Sequence, residues 1–259
     1  MIMSDGFEFR RHGEIARLTF ARPEKMNAIR HEMWSAIPDV VAEVEADAAV
    51  KVLVVTGAGE HFSAGADIGE FRALRSTAEG AVNYDRAVTA AVEALGSMRK
   101  PSIAMIQGNC IGGGCQVAVA CDVRFAAADA RFGITPAKLG IVYDFLSTRQ
   151  LVALVGPAHA RYLLLSARLV GADRAAEMGL VNEVVDRELL EKTTMEFAET
   201  VCSRSQTAVR SMNEIIGRIL AGQRESDAEI ERLRSDAVRS ADYAEGVAAF
   251  LERRPPRFA

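Results

Sequence analysis

No apolar run in this chain is long enough to span a bilayer, and the opening stretch MIMSDGFEFRRHGE lacks the apolar core of a secretory leader. No low-complexity segment or short-period repeat is present. These absences lead to the expectation of a soluble, cytoplasmic protein with no membrane partner. A cationic surplus is missing too: 31 Lys and Arg stand against 35 Asp and Glu, a formal net charge of -4, with the basic residues scattered. No nucleic-acid partner is expected from such a balance. Only four cysteines occur, Cys110, Cys115, Cys121 and Cys202, none at C-x2-C spacing. His12, His31 and His159 have no acid or histidine at metal-ligand spacing. The expectation is therefore no metal, no disulfide framework, and four packed thiols.

What is present is enough apolar material for one full core: 259 residues, 49% of them hydrophobic. Ala16, Leu18 and Phe20 alternate with Arg17 and Thr19, which predicts a half-buried strand over 14–20. Met33, Ile37, Val40, Val41 and Val44 recur at helical intervals, and KVLVVTG (51–57) reads as a strand buried on both faces. The order then repeats. A stripe at Tyr84, Val88, Ala91, Val92 and Leu95 precedes PSIAMIQG (101–108), and CDVRFAA (121–127) supplies a further strand. Alternating strands and helices predict an α/β core over residues 1–190. From Glu188 to Leu251 the pattern is helical throughout, with a stripe at Val209, Met212, Ile216 and Ile219, so 191–259 is expected to be a helical appendage.

Two glycine-containing turns close apolar strands and feed helices: TGAGEHFSAGAD (56–67) and QGNCIGGGCQ (107–116). Such turns expose backbone N–H groups at helix N-termini, and two side by side can form a two-donor oxyanion hole. Neither is a P-loop, because no Gly-Lys-Ser/Thr follows, and neither matches the dinucleotide fingerprint. His61 stands two before Ser63, where a nucleophile elbow would need glycine.

Five segments in order, ARPEKMNAI (21–29), VLVVTGAGEHFSAGADI (52–68), KPSIAMIQGNCIGGGCQVAVACDVRFAAADARFG (100–133), LVGPAHARYLLLSARLVGADRAAEMGLVNEVV (154–185) and EGVAAFLERRPPRF (245–258), resemble the crotonase family, the enoyl-CoA hydratase/isomerase superfamily. The resemblance implies an α/β fold built as a spiral of ββα units, with a C-terminal helical trimerisation region. It implies a homotrimer or dimer of trimers acting on an acyl-CoA thioester. Coenzyme A then belongs to the substrate, and no separate cofactor is needed. By the same resemblance Ala66 and Gly113 supply the oxyanion N–H groups, and Ser63, Ala64, Asp67 and Ile68 border adenine and pantetheine. Arg22 and Lys25 are the candidate cations for CoA phosphates; either can equally be an ordinary surface cation. Phe250 either covers the adenine or belongs to the apolar face of the last helix.

The departures bear on the reaction. Hydratases of the family use two glutamates, and this chain has Gln116 at the first position and Pro136 at the second. An amide cannot exchange a proton near neutral pH. In LGIVYDFLSTRQL (139–151), Tyr143 and Asp144 replace the family's Pro-Gly, and an acid at this place is the catalytic base in dienoyl-CoA and some enoyl-CoA isomerases. Asp144 is thus expected to be the one proton carrier, although an Asp before a helix is also a favoured N-cap. The phenol of Tyr143 reads as a pocket wall or a hydrogen-bonding partner. The leading expectation is a double-bond shift through a dienolate. The alternatives are hydration or thioester hydrolysis with a non-standard acid/base set, and a catalytically quiet acyl-CoA-binding protein.

Overall fold

The computed structural model describes residues 6–258. Met1–Asp5, part of the stretch read above for a leader, and Ala259 lie outside them. The chain opens with an antiparallel hairpin, β1 (Phe7–His12) and β2 (Ile15–Phe20), joined through Gly13, whose φ of +62° suits the tight turn. Helix α1 (His31–Ala46) follows, then β3 (Val52–Gly57), the single turn α2 (Phe71–Leu74), α3 (Ala78–Gly96), and β4 (Ser102–Ile106) with the short β5 (Asn109–Ile111). Helix α4 (Gly113–Ala120) leads to β6 (Val123–Ala127), β7 (Arg131–Gly133) and α5 (Phe145–Ser166). The remaining elements are β8 (Val170–Gly171), α6 (Ala172–Glu177), β9 (Glu183–Val185), α7 (Arg187–Cys202), α8 (Gln206–Leu220), α9 (Ala228–Arg239) and α10 (Ala241–Glu252).

The larger sheet runs β1-β2-β3-β4-β6-β9, parallel from β2 onward, and β5-β7-β8 form a second, smaller sheet. Successive units step the chain forward: a strand of the large sheet, a strand of the small one, then a helix, as in β4-β5-α4 and β6-β7-α5. The loop after β3 repeats the step, since Ser63 bridges Cys110 of β5. The register is set by apolar runs on both faces. Val52–Val55 are fully buried, opposite Ser102–Ala104 on one side and Ile15–Leu18 on the other.

One core lies between this sheet and α1, α3, α4 and α5, with Trp34, Ile37, Val92, Leu95, Val117 and Leu163 at its centre. A second lies on the opposite face, where Val54, Ile103 and Phe125 pack on Leu190, Ala198 and Cys202 of α7. All four cysteines are buried free thiols, as expected. β1 goes beyond the sequence reading: only Phe7 and Phe9 alternate before Arg10, Arg11 and His12 turn outward. Helix α5 breaks at Gly156, where φ is +74° before Pro157, so the helix expected after Asp144 ends at the glycine and a second begins.

Helices α7–α10 account for the C-terminal region. Met212, Ile216 and Ile219 of α8 remain more than half exposed, a contiguous apolar stripe of the kind that marks an association surface. Phe250 of α10 is 83% exposed, so it does not pack into its own helix layer.

Candidate active site

The site grows from two loops that approach at the N-terminus of α4. After β3, the segment 63–67 is stapled on both sides. Ser63 N–H donates to Asn109 O (2.9 Å), and Ile111 N–H to Ser63 O (3.0 Å). On the other flank Ile29 N–H donates to Gly65 O (2.7 Å) and Asp67 N–H to Ile29 O (2.9 Å). Because backbone groups alternate in direction along an extended segment, those two bonds turn the Ala66 N–H the opposite way. Gly65 permits the approach: at φ +100°, a Cβ there would lie 2.7 Å from Ile111 O and 3.1 Å from Gly113 N.

The second loop turns at Gly112, with φ +54° and ψ -118°, a conformation open to glycine, and its N–H donates to Gly133 O at 2.7 Å. Gly113 begins α4, so its N–H has no acceptor within the helix. A Cβ on Gly113 would stand 3.3 Å from Ala66 N, so the two amides are neighbours. Neither N–H donates a hydrogen bond among the described residues. At the far end of α4, the buried Arg124 guanidinium donates to Ala118 O (3.3 Å) and Cys121 O (2.5 Å), complementing the helix dipole.

Both amides open on a cavity of about 710 Å³. Its walls include Ala64, Ile68, Gln116, Pro136, Tyr143 and Asp144, which the sequence reading had singled out. Pro136 opens a short 3-10 turn, Pro136–Leu139. Asp144 is the N-cap of α5: its Oδ1 accepts from Ser147 N–H (2.9 Å), while its Oδ2 accepts from Gln116 Nε2 (2.8 Å). The other proton of the same amide goes to Ser147 Oγ (2.6 Å). Both donors of Gln116 are therefore taken up by α5. Burial pushes the Tyr143 phenol well above its ordinary value, with Cys115 and Asp144 adding to the effect and Ser147 opposing it, so Tyr143 stays protonated.

Ser63, Arg22, Asp67 and Lys25, also singled out in the sequence, take the following places. Ser63 is fully buried and does not line the cavity; its hydroxyl donates to Asn27 O (2.8 Å) and accepts from Gly65 N–H (3.1 Å). These two bonds shape the turn. The Arg22 Nη1 is held by Asp67 Oδ2 (2.9 Å) and Ala28 O (2.7 Å), and this partly buried ion pair braces the loop carrying Ala66. Asp67 also accepts from Gly69 N–H. Lys25 is exposed, with no ion-pair partner among the described residues.

Sequence reasoning passed over Asn27, whose buried amide donates to Ala58 O (2.9 Å) and His61 O (2.6 Å) and anchors the same loop. It also passed over the opposite cavity wall of Trp34, Phe71, Arg75, Tyr84 and Asp85. The helical stripe of α3 identified Tyr84 with the core, and nothing in its spacing separates a core face from a pocket wall.

The sequence model described as enoyl-CoA hydratase/isomerase matches residues 10–259. The chain belongs to that family. It is 37% identical over 256 residues to the crotonyl-CoA hydratase of Syntrophomonas wolfei, covering 95% of this chain and 94% of the other. It is 31% identical over 248 residues to the 1,2-epoxyphenylacetyl-CoA isomerase of Escherichia coli, covering 94% of each. Among solved structures, an enoyl-CoA hydratase/carnithine racemase from Magnetospirillum magneticum superposes with a TM-score of 0.95 at 34% identity, over 99% of this chain and 96% of that one. The fold is thus the crotonase one, and the C-terminal helices fit its trimerisation region. Among the described residues no helix is long and apolar enough to cross a membrane, and no group of three His, Cys, Asp or Glu could hold a metal ion. Members of the enoyl-CoA hydratase/isomerase family act on acyl-CoA thioesters, and the named hydratases among the relatives outnumber the isomerases.

Proposed function

We propose that this member of the family shifts a carbon–carbon double bond in an enoyl- or dienoyl-CoA, with Ala66 and Gly113 as oxyanion donors and Asp144 as the single proton carrier. The observation that carries the reading is the 2.8 Å bond from Gln116 Nε2 to Asp144 Oδ2. Where a family hydratase would have a glutamate, this chain has an amide whose donors orient a neighbouring carboxylate. Asp85, the only other carboxylate on the cavity wall among the described residues, is paired with Arg75.

The chemistry follows from that inventory. A thioester carbonyl seated between two N–H donors becomes enolate-like, which acidifies the carbon conjugated to it; one such donor is typically worth about 3 to 4 kcal/mol of barrier. Asp144 takes a proton from one carbon and returns it to another while the dienolate is held. Hydration needs a second group to activate water or protonate carbon, and general acid/base help of that kind is worth about 10²- to 10⁴-fold. Neither Gln116 nor Pro136 can supply it. Exposed Lys25 suits the CoA phosphates better than Arg22, whose charge is already balanced by Asp67. A homotrimer, using the α8 stripe, is the proposed assembly.

The test is turnover of 3-enoyl-CoA, 3,5-dienoyl-CoA and 2-enoyl-CoA by the wild type and Asp144→Asn. Isomerisation should fall at least 10²-fold in the variant while its fold is kept, since Asn is an equally good N-cap. Isomerisation unaffected by the substitution, or hydration of 2-enoyl-CoA faster than isomerisation in the wild type, would overturn the proposal.

A further inference from the structure

The part of the cavity wall supplied by α1, α2 and α3 is not the hydrocarbon surface that a plain alkyl chain would prefer. Starting from the amide pair, the Trp34 ring lies against Gly113, where a Cβ would meet Trp34 Cζ2 at 2.7 Å. Tyr84 comes next; the Trp34 N–H lies on its hydroxyl side but the two miss full hydrogen-bond geometry, leaving Trp34 Nε1 and Tyr84 Oη buried without partners among the described residues. Beyond them the Arg75 guanidinium sits over the rings of Phe71 (5.0 Å to the centroid) and Tyr84 (5.2 Å). Phe71 and Tyr84 meet edge to face at 5.2 Å, so the cation rests on a rigid aromatic shelf.

The pairing of Arg75 with Asp85 is asymmetric. The Arg75 side chain is 15% exposed, whereas that of Asp85 is 58% exposed, although both line the cavity. The cation is built into the wall, and its counter-ion reaches in from solvent. A methyl-ended chain filling this end would strip water from a charge pair and offer nothing to it. A carboxylate at the chain end would take Asp85's place on a guanidinium suited to bidentate recognition. The exchange puts one carboxylate in place of another on the same two guanidinium nitrogens, while Asp85 turns into the water that already covers more than half of it.

We propose that the acyl end of the cavity receives a chain terminating in a carboxylate, with Arg75 as its docking cation and Asp85 as the displaceable counter-ion. The inference rests on the acyl-thioester reading of the cavity but not on the reaction performed there. It is therefore tested by binding of saturated thioesters, which cannot react. Affinities of glutaryl-CoA and adipyl-CoA would be compared with those of their methyl-ended counterparts of equal length and with free CoA. The proteins would be the wild type, Arg75→Met, Arg75→Lys and Asp85→Asn, each checked for folding by its thermal transition.

The wild type should bind the carboxylate-ended thioesters at least tenfold more tightly than the methyl-ended ones. Arg75→Met should abolish that preference, Arg75→Lys should reduce it, and Asp85→Asn should preserve or enlarge it. If Arg75→Met does not fold, the Arg75→Lys and Asp85→Asn results decide. Equal or tighter binding of methyl-ended chains by the wild type overturns this inference while leaving the thioester reading intact. Acyl thioesters that bind no better than free CoA overturn both.

Discussion

Replacing Gln116 with Glu should convert a single-base site into a coupled pair of carboxylates. The wild-type amide nitrogen lies 2.8 Å from Asp144 Oδ2 and 2.6 Å from Ser147 Oγ, so a glutamate of the same length puts its carboxylate against another one. Two unit charges about 4 Å apart in surroundings of effective dielectric near 20 repel by about 4 kcal/mol, close to three pKa units as an upper bound. The pair therefore holds one shared proton above the ordinary carboxylate range. Between its two ionisations the variant contains both an acid and a base, the set that hydration needs and the wild type lacks. The assay is kcat/KM for hydration of 2-enoyl-CoA across pH 4 to 9. Hydration should rise at least tenfold near pH 6 and acquire a basic limb that is absent from the wild type. A folded variant with neither the gain nor the new limb would refute the claim that the missing carboxylate is what separates this site from a hydratase.

Three further outcomes are expected. Gly113→Ala should lower kcat/KM for isomerisation by about 10²-fold or more, because the new methyl meets Trp34 at 2.7 Å and crowds Ala66 N at 3.3 Å; steady-state kinetics beside a thermal melt separates this from unfolding. Ser147→Ala removes the acceptor of one Gln116 proton but keeps the backbone cap on Asp144, so kcat for isomerisation should fall while the melting temperature changes by only a few degrees. In the tail, the Arg254 side chain and the Arg257 N–H hold the Glu245 carboxyl down to about 2. A lowered folded pKa means that this contact is fully present above about 4.5 and is lost as pH falls through about 2. Amide exchange at Arg257, corrected for intrinsic rates, should rise over that window, and Glu245→Gln should remove the transition.

The parts of this molecule legible in its sequence are those set by local periodicity. The buried parallel strands, the stripes of α1 and α3, and the all-helical C-terminal quarter follow from spacing alone. So do the two glycine turns, because Gly65 and Gly112 announce backbone geometry that other residues resist. The short strands β5, β7, β8 and β9 were not legible: two or three residues carry no period, and they exist because their partners hold them. At the site, the family resemblance singled out Asp144 and Gln116 separately but not their contact, which spans 28 residues of sequence. Arg75 was invisible for a related reason. A basic residue before a polar turn reads as surface, and only tertiary packing folds its guanidinium onto Phe71 and Tyr84.

In the proposed reaction the capping role of Asp144 bears on where the transferred proton goes. While the carboxyl is ionised it receives the Ser147 N–H and the Gln116 amide at a helix N-terminus, where negative charge is favoured. Those two bonds fix the carboxyl in place, so in the proposed reaction it stays beside the substrate and hands the proton back to carbon rather than turning out to solvent. Deuterium placed on the carbon that loses its hydrogen should therefore reappear largely on the carbon that gains one, an intramolecular transfer enforced by the opening turn of a helix.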